Sequence, residues 1–201
     1  MNAAEIEIAP GHTVVVRQGA TPASLVLLSR GRARVERLIA DGRSVPLGYR
    51  GSGDVLGESC LGDARQYTES IITMEEAEIV RIPLDLVHDF MIHDAAMGAA
   101  VLAMFLARQR ETEERIESLL FRNVEGRLAE FLIKAAERWG VPVPKGELIS
   151  APITHLEIAQ AIGSTRETVT LTLGALRREG LLDVAGRRLI IKDREMLAKR
   201  Q

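Results

Sequence analysis

Thr154-His155-Leu156-Glu157 and Ser164-Thr165-Arg166-Glu167 share one form, a hydroxyl residue followed three positions later by a glutamate, and they begin ten residues apart. In such a capping box the hydroxyl accepts the N3 amide and the carboxylate reaches back to the cap's own amide. The pair predicts a short helix over 155–161, a turn at Ile162-Gly163-Ser164 and a second helix from Thr165 to Glu179, stopped by Gly180. Val169, Leu173 and Leu176 give the second helix one apolar face. Arg166, Thr170 and Arg177 fall opposite, with Glu167 beside them. Two short helices across a glycine turn, the second basic and open at its start, read as a helix-turn-helix.

Residues 181–191 read as strand, turn, strand, with Arg187 and Arg188 at the tip. A hairpin with a basic tip after a helix-turn-helix makes a winged helix, its tip placed to meet phosphates. The residue types suit DNA. An arginine near the start of a groove-lying helix donates twice to guanine, a glutamate accepts from cytosine N4, and threonine or arginine holds phosphate. Each has a plainer reading: Glu167 as the capping acid of its own helix, Arg166 as a solvated surface arginine. The charge distribution adds weight. Residues 1–120 hold 12 Lys/Arg and 18 Asp/Glu, a balance of −6, whereas residues 121–201 hold 14 and 10, a balance of +4.

Before this region, 125–139 reads as a helix with Leu128, Phe131, Leu132 and Ala135 on one face, and Gly140–Gly146 as a loop. From Asp94 to Leu120 the only Gly or Pro is Gly98. Positions 98, 102, 105, 109, 112, 116 and 119 step by four and three, a heptad seam through Leu102, Phe105, Gln109, Thr112, Ile116 and Leu119. Two readings stand: a coiled-coil pairing with a second copy, or one helix lying along its own domain. Pro83 is placed to open a further helix.

The first eighty residues carry β-branched runs at Thr13–Arg17, Ser24–Ser29 and Arg32–Ile39, with Asp41-Gly42 as a hairpin turn and glycines at 42, 48, 51, 53, 57 and 62. They read as a small β-barrel or sandwich.

Composition narrows the class. The 201 residues are 46% hydrophobic, 27% charged and 3% aromatic, which suits two modest domains. No run approaches the ~18 apolar residues of a membrane span, and the N-terminus has neither the basic nor the apolar region of a secretory signal. One cysteine, Cys60, forms no internal disulfide and fits a reducing cytoplasm. It excludes a four-cysteine cluster within one chain.

At this point the chain resembles the Crp/Fnr family of bacterial transcription regulators over nearly its whole length. Gly163-Ser164-Thr165-Arg166-Glu167-Thr168-Val169 is similar to that family's recognition-helix motif, Phe121–Leu128 to its segment joining dimer helix and DNA domain, and Gly53-Asp54-Val55-Leu56-Gly57-Glu58 to the glycine-rich turn of its cyclic-nucleotide-binding roll. The resemblance implies an α+β architecture. It consists of a cyclic-nucleotide-binding-type β-roll over 1–93, a dimerisation helix over 94–120 and a winged helix-turn-helix over 121–201. It implies a homodimer on palindromic promoter DNA, in contact with RNA polymerase. The DNA-facing set it implies is Thr154, His155, Ser164, Thr165, Arg166, Glu167, Thr168, Thr170, Leu171, Arg187 and Arg188. Arg166 and Glu167 would each read a G·C pair in a TGTGA-like half-site and Thr168 would hold phosphate. Leu171 stands where cyclic-AMP-responsive members carry a further base-reading arginine, so the half-site is expected to differ at one position.

The effector pocket departs further. Gly57 and Glu58 suit phosphate and ribose, and Thr112 matches an adenine contact. Tyr67-Thr68, however, occupy the place of the family's Arg-Ser pair, and Arg65 is the nearest cation in sequence. A buried phosphate without a cation is costly. The expectation is a regulator that does not respond to cyclic AMP and holds no cofactor, the alternative being one gated by cyclic AMP or another small molecule. Haem or metal sensing is disfavoured, since His88 and His93 are five apart and His12 and His155 stand alone. Between residues 1 and 82 His12 is the only histidine, too few ligands for a cupin-type enzyme, and no nucleophile–base set appears. Cys60 reads as a small core residue or, alternatively, a redox-sensitive thiol.

Overall fold

The three expected runs become β2 (Val14–Val16), β3 (Ser24–Arg30) and β4 (Ala33–Leu38), and β1 (Glu5–Ala9), β5 (Ser44–Arg50), β6 (Val55–Leu56), β7 (Ser70–Thr73) and β8 (Ala77–Pro83) complete eight strands. A computed structural model describes residues 4–62 and 65–200 of the chain. The strands make two antiparallel four-stranded sheets, ordered β1-β8-β3-β6 and β2-β7-β4-β5. Val26, Leu28 and Ile79 of one sheet share a core with Val16, Val35 and Ile71 of the other, the arrangement that period-two alternation produces when each sheet buries one face.

The irregular alternation along 32–39 has a cause. Ala33 and Val35 point into the core, and the pairing of β4 with β5 then shifts, Val35 facing Gly48 but Glu36 facing Pro46. This bulge turns Arg37 outward. The Asp41-Gly42 turn forms as expected, with Gly42 at φ +82° and its amide donating to the Ile39 carbonyl at 3.0 Å.

Helix α1 (Leu84–His93) follows Pro83, packs on β3 and β8, and contributes the buried Val87 to the core. Asp94, in extended conformation, separates the two helices; its carboxylate accepts the Ala96 amide at 2.8 Å and so starts α2 (Ala95–Phe121). The chain packs as two units that divide within α2, between Gln109 and Arg110.

The C-terminal unit contains α3 (Val124–Trp139), β9 (Gly140–Val143), β10 (Gly146–Ile149), α4 (His155–Ile162), α5 (Arg166–Arg178), β11 (Leu182–Ala185), β12 (Arg188–Ile191) and α6 (Arg194–Ala198). Asn123 caps α3 by accepting the Gly126 amide at 2.8 Å. Leu128, Leu132 and Ala135 are buried as expected, joined by Ala129, Ile133 and Ala136, while Phe131 is half-buried. The expected loop over 140–146 is instead a hairpin, β9 turning into β10, which extends the wing into a sheet ordered β11-β12-β10-β9. Val141 and Val143 supply β propensity, and Pro142 is tolerated because β9 lies at the sheet edge, where no ladder amide is missed. Helix α6 is an element the sequence pattern does not announce; Asp193 caps it through the Met196 amide at 2.9 Å, and Leu197 anchors it, fully buried.

Candidate functional site

The first capping box forms as written. Thr154 Oγ1 accepts the Glu157 amide at 3.2 Å, and the Glu157 carboxylate accepts the Thr154 amide at 2.8 Å. The second does not. Gly163 ends α4 in the left-handed region, φ +62°, and the Ser164 amide turns back to the Ala159 carbonyl at 2.8 Å. Ser164 thereby belongs to the turn, half-buried, and Thr165 is the cap of α5, accepting the Thr168 amide at 3.2 Å. The cap falls one residue later than the sequence pattern implied because the glycine turn uses Ser164 first. Glu167 consequently has no capping role.

The buried face of α5 is Val169, Leu173 and Leu176, and its end is closed by Gly180 at φ +80° with the Leu181 amide on the Leu176 carbonyl at 3.0 Å. Arg166, Glu167, Thr170 and Leu171 stand exposed on the other side, Leu171 at 74%. Thr168 is half-buried, its hydroxyl 2.9 Å from that of Thr165. Thr170 Oγ1 donates to the Arg166 carbonyl at 2.8 Å and lies 2.9 Å from His155 Nδ1, which ties α4 to α5. Arg177, expected on the open face, pairs with Asp183 of β11 at 3.8 Å. The wing turns at Gly186, φ +63°, and presents Arg187 and Arg188 to solvent. Among the described residues, no protein group holds the side chains of Arg166, Glu167, Arg187 or Arg188.

In the N-terminal unit, Gly57 is left-handed, φ +73°, and opens a 3-10 turn over Glu58–Leu61. The Tyr67 ring packs on it: a Cβ on Gly57 would meet Tyr67 Cε1 at 3.1 Å. The Tyr67 hydroxyl donates to the Ser24 carbonyl at 2.5 Å. Glu58 is met by Arg108 of α2, Nε to Oε1 at 3.0 Å, and Arg108 Nη2 donates to the Val55 carbonyl at 2.7 Å. Sequence order offers Arg65 as the nearest cation for an effector phosphate; the guanidinium that meets Glu58 comes from fifty residues further on than Glu58 itself. Burial pushes the Glu58 carboxyl up, against the positive charge of Arg50 and with the negative charges of Glu69 and Asp54. Thr68 is exposed and bonds the Glu69 carboxylate, which also accepts from Ser59 Oγ at 2.9 Å. Thr112 lies beyond the division, exposed, in the C-terminal unit.

Along α2, the residues of the heptad seam are exposed to solvent: Leu102 is 60% exposed and Ile116 52%, with Phe105, Gln109, Thr112 and Leu119 exposed as well. Cys60 is buried. Among the described residues no three His, Cys, Asp or Glu side chains gather as a metal site, and no single helix is long and apolar enough to cross a membrane.

Comparison with known proteins agrees with this geometry. Residues 126–200 match the Crp-like helix-turn-helix domain, and residues 6–94 match the cyclic nucleotide-binding domain. The CRP-like cAMP-activated global transcriptional regulator of Mycobacterium tuberculosis is 29% identical, across 97% of this chain and 87% of that protein. Transcriptional regulator LdrP of Thermus thermophilus is 32% identical, across 90% of this chain and 88% of its own. The solved structure of FixK2 from Bradyrhizobium japonicum superposes with a TM-score of 0.86 at 19% identity, covering 98% of this chain and 97% of that one, a likeness of fold.

Proposed function

The chain belongs to the Crp/Fnr family of transcription regulators, and from that premise we propose that it is a cytoplasmic homodimer reading palindromic promoter DNA without needing cyclic AMP. The observation that carries the DNA reading is the first turn of α5. Arg166 and Glu167 are exposed there, Thr165 supplies the cap, and among the described residues no protein group holds either side chain. Arg166 donates to guanine and Glu167 accepts from cytosine N4. Thr154, His155 and Thr168 flank them toward the backbone, and Arg187 and Arg188 reach phosphates from the wing. Leu171 offers no donor and suits a thymine methyl. Two copies pair along the seam from Leu102 to Leu119, whose exposed apolar side chains suit a coiled coil. The DNA-bound dimer then meets RNA polymerase.

Independence from cyclic AMP is supported by Tyr67. Its ring covers the Gly57 turn and its hydroxyl is held by Ser24, so a phosphate there meets an aromatic face where a cation is required. A second reading, gating by a small molecule, is favoured by Arg108, which brings a positive charge to Glu58, and by the name of the Mycobacterium tuberculosis relative, cAMP-activated. Fluorescence anisotropy on a labelled TGTGA-type palindrome and on random DNA, at one salt concentration with and without cyclic AMP, separates the two. Tight, sequence-selective binding unchanged by the nucleotide is the expected result. Binding that appears only with cyclic AMP overturns the independence, and equal affinity for both duplexes overturns sequence reading.

A further inference from the structure

We propose that His155 contacts a DNA phosphate only as the imidazolium, so that each protomer takes up a proton when it binds DNA. The inference rests on the DNA-binding reading above. Thr170 has one hydroxyl hydrogen, and it is donated to the Arg166 carbonyl at 2.8 Å. Toward His155 Nδ1, 2.9 Å away, Thr170 Oγ1 is therefore the acceptor, and the hydrogen between them belongs to the ring. This fixes the neutral tautomer: hydrogen on Nδ1, lone pair on Nε2.

Among the described residues nothing bonds Nε2. As a lone pair it repels a phosphate oxygen; with a second proton it becomes a charge-assisted donor to one. His155 begins α4 and its ring meets Thr170 of α5; in a helix-turn-helix whose second helix lies in the major groove, the first helix crosses the DNA backbone, which puts phosphates within reach of α4. Glu157, on its own helix, is turned into the Thr154 amide and hydroxyl. Arg166 and Glu167 lie four and three residues before Thr170 on α5. From α3, the other helix packed on α4, Arg127 is bonded to the Gly163 carbonyl at 3.4 Å. Approach of a phosphate therefore brings the decisive new charge, and it favours the cation.

The test measures affinity for the labelled palindrome and for random DNA at about pH 6 and about pH 8, the span over which histidine changes charge, at one salt concentration. The wild type is expected to bind more tightly at the lower pH, on the order of tenfold per protomer, the worth of one hydrogen bond to a charged group. His155→Arg keeps tight binding at both pH values, and His155→Gln, whose amide donates without titrating, loses the pH dependence. Thr170→Ala separates the tautomer from the ring itself: with the acceptor gone, neutral His155 carries its hydrogen on Nε2, donates at the higher pH and loses much of the pH dependence. A pH response as large in His155→Gln as in the wild type overturns this inference alone. A wild type that binds neither duplex overturns it together with the DNA reading.

Discussion

Arg108 Nε lies 3.0 Å from Glu58 Oε1, a pairing across fifty residues within the N-terminal unit. Both side chains are largely withdrawn from water, so the pair acts in a medium where loss of one partner is felt. Arg108→Ala leaves the Glu58 carboxylate desolvated beside Glu69 and Asp54 and is expected to destabilise the N-terminal unit by roughly 1.5–3 kcal/mol at neutral pH. The pH dependence has a definite sign. A carboxyl held above its unfolded-state value contributes stability that is full at low pH and lost as pH rises through the folded-state value, and burial holds Glu58 up. The variant's deficit is therefore larger in urea melts at about pH 7.5 than at about pH 5, and Glu58→Gln in the same background narrows the gap.

Cys60 is buried in the β-roll core. Burial, helped by the charges of Glu69 and Glu58, pushes its thiol up to about 11. The thiolate is the reactive form, so at about pH 8 the folded protein is expected to react with Ellman's reagent on the order of a hundredfold more slowly than the urea-unfolded chain. Equal rates would return Cys60 to the role of a redox-sensitive thiol.

The α5 cap separates two adjacent hydroxyls. Thr165 accepts the Thr168 amide at 3.2 Å, whereas Ser164 enters the turn through its backbone amide on Ala159. Thr165→Ala is expected to cost about 1 kcal/mol of stability and to weaken specific DNA binding with it, because Arg166 and Glu167 sit in the turn that frays. Ser164→Ala should stay within about 0.5 kcal/mol of the wild type. Chemical denaturation of the three proteins decides between them; the reverse order would restore Ser164 as the cap.

Those two positions also show where sequence reading stops. The helix-turn-helix was legible because capping hydroxyls, Gly163 and the Val169-Leu173-Leu176 face are local signals, each settled within one helical turn. The choice between Ser164 and Thr165 was not, since it depends on how the preceding helix ends. Val141 and Val143 were hidden by two prolines and became a strand only because β10 and the wing offered an edge. Arg108 had no signal at all: its role comes from bringing α2 against a turn fifty residues earlier, which no spacing rule encodes. The bond between His155 and Thr170 belongs to the same class. Both residues stand in the DNA-facing set that the resemblance implies, but their contact across fifteen residues depends on how α4 and α5 cross.

Base reading and backbone holding are separable by their response to salt. Arg166 is open at the start of α5, and Arg187 and Arg188 are open at the wing tip. Arg166→Ala is expected to cost about 1–3 kcal/mol on the preferred site and to relax discrimination at one base pair of each half-site. Arg187→Ala and Arg188→Ala remove phosphate charges; they are expected to weaken all sequences alike and to reduce the slope of log affinity against log salt by about one per lost contact. Anisotropy titrations on the palindrome, on single-base variants and on random DNA at several salt concentrations give both quantities. Equal losses on specific and random DNA for Arg166→Ala would place that arginine on the backbone. A loss confined to one base pair for Arg187→Ala would place the wing in the groove.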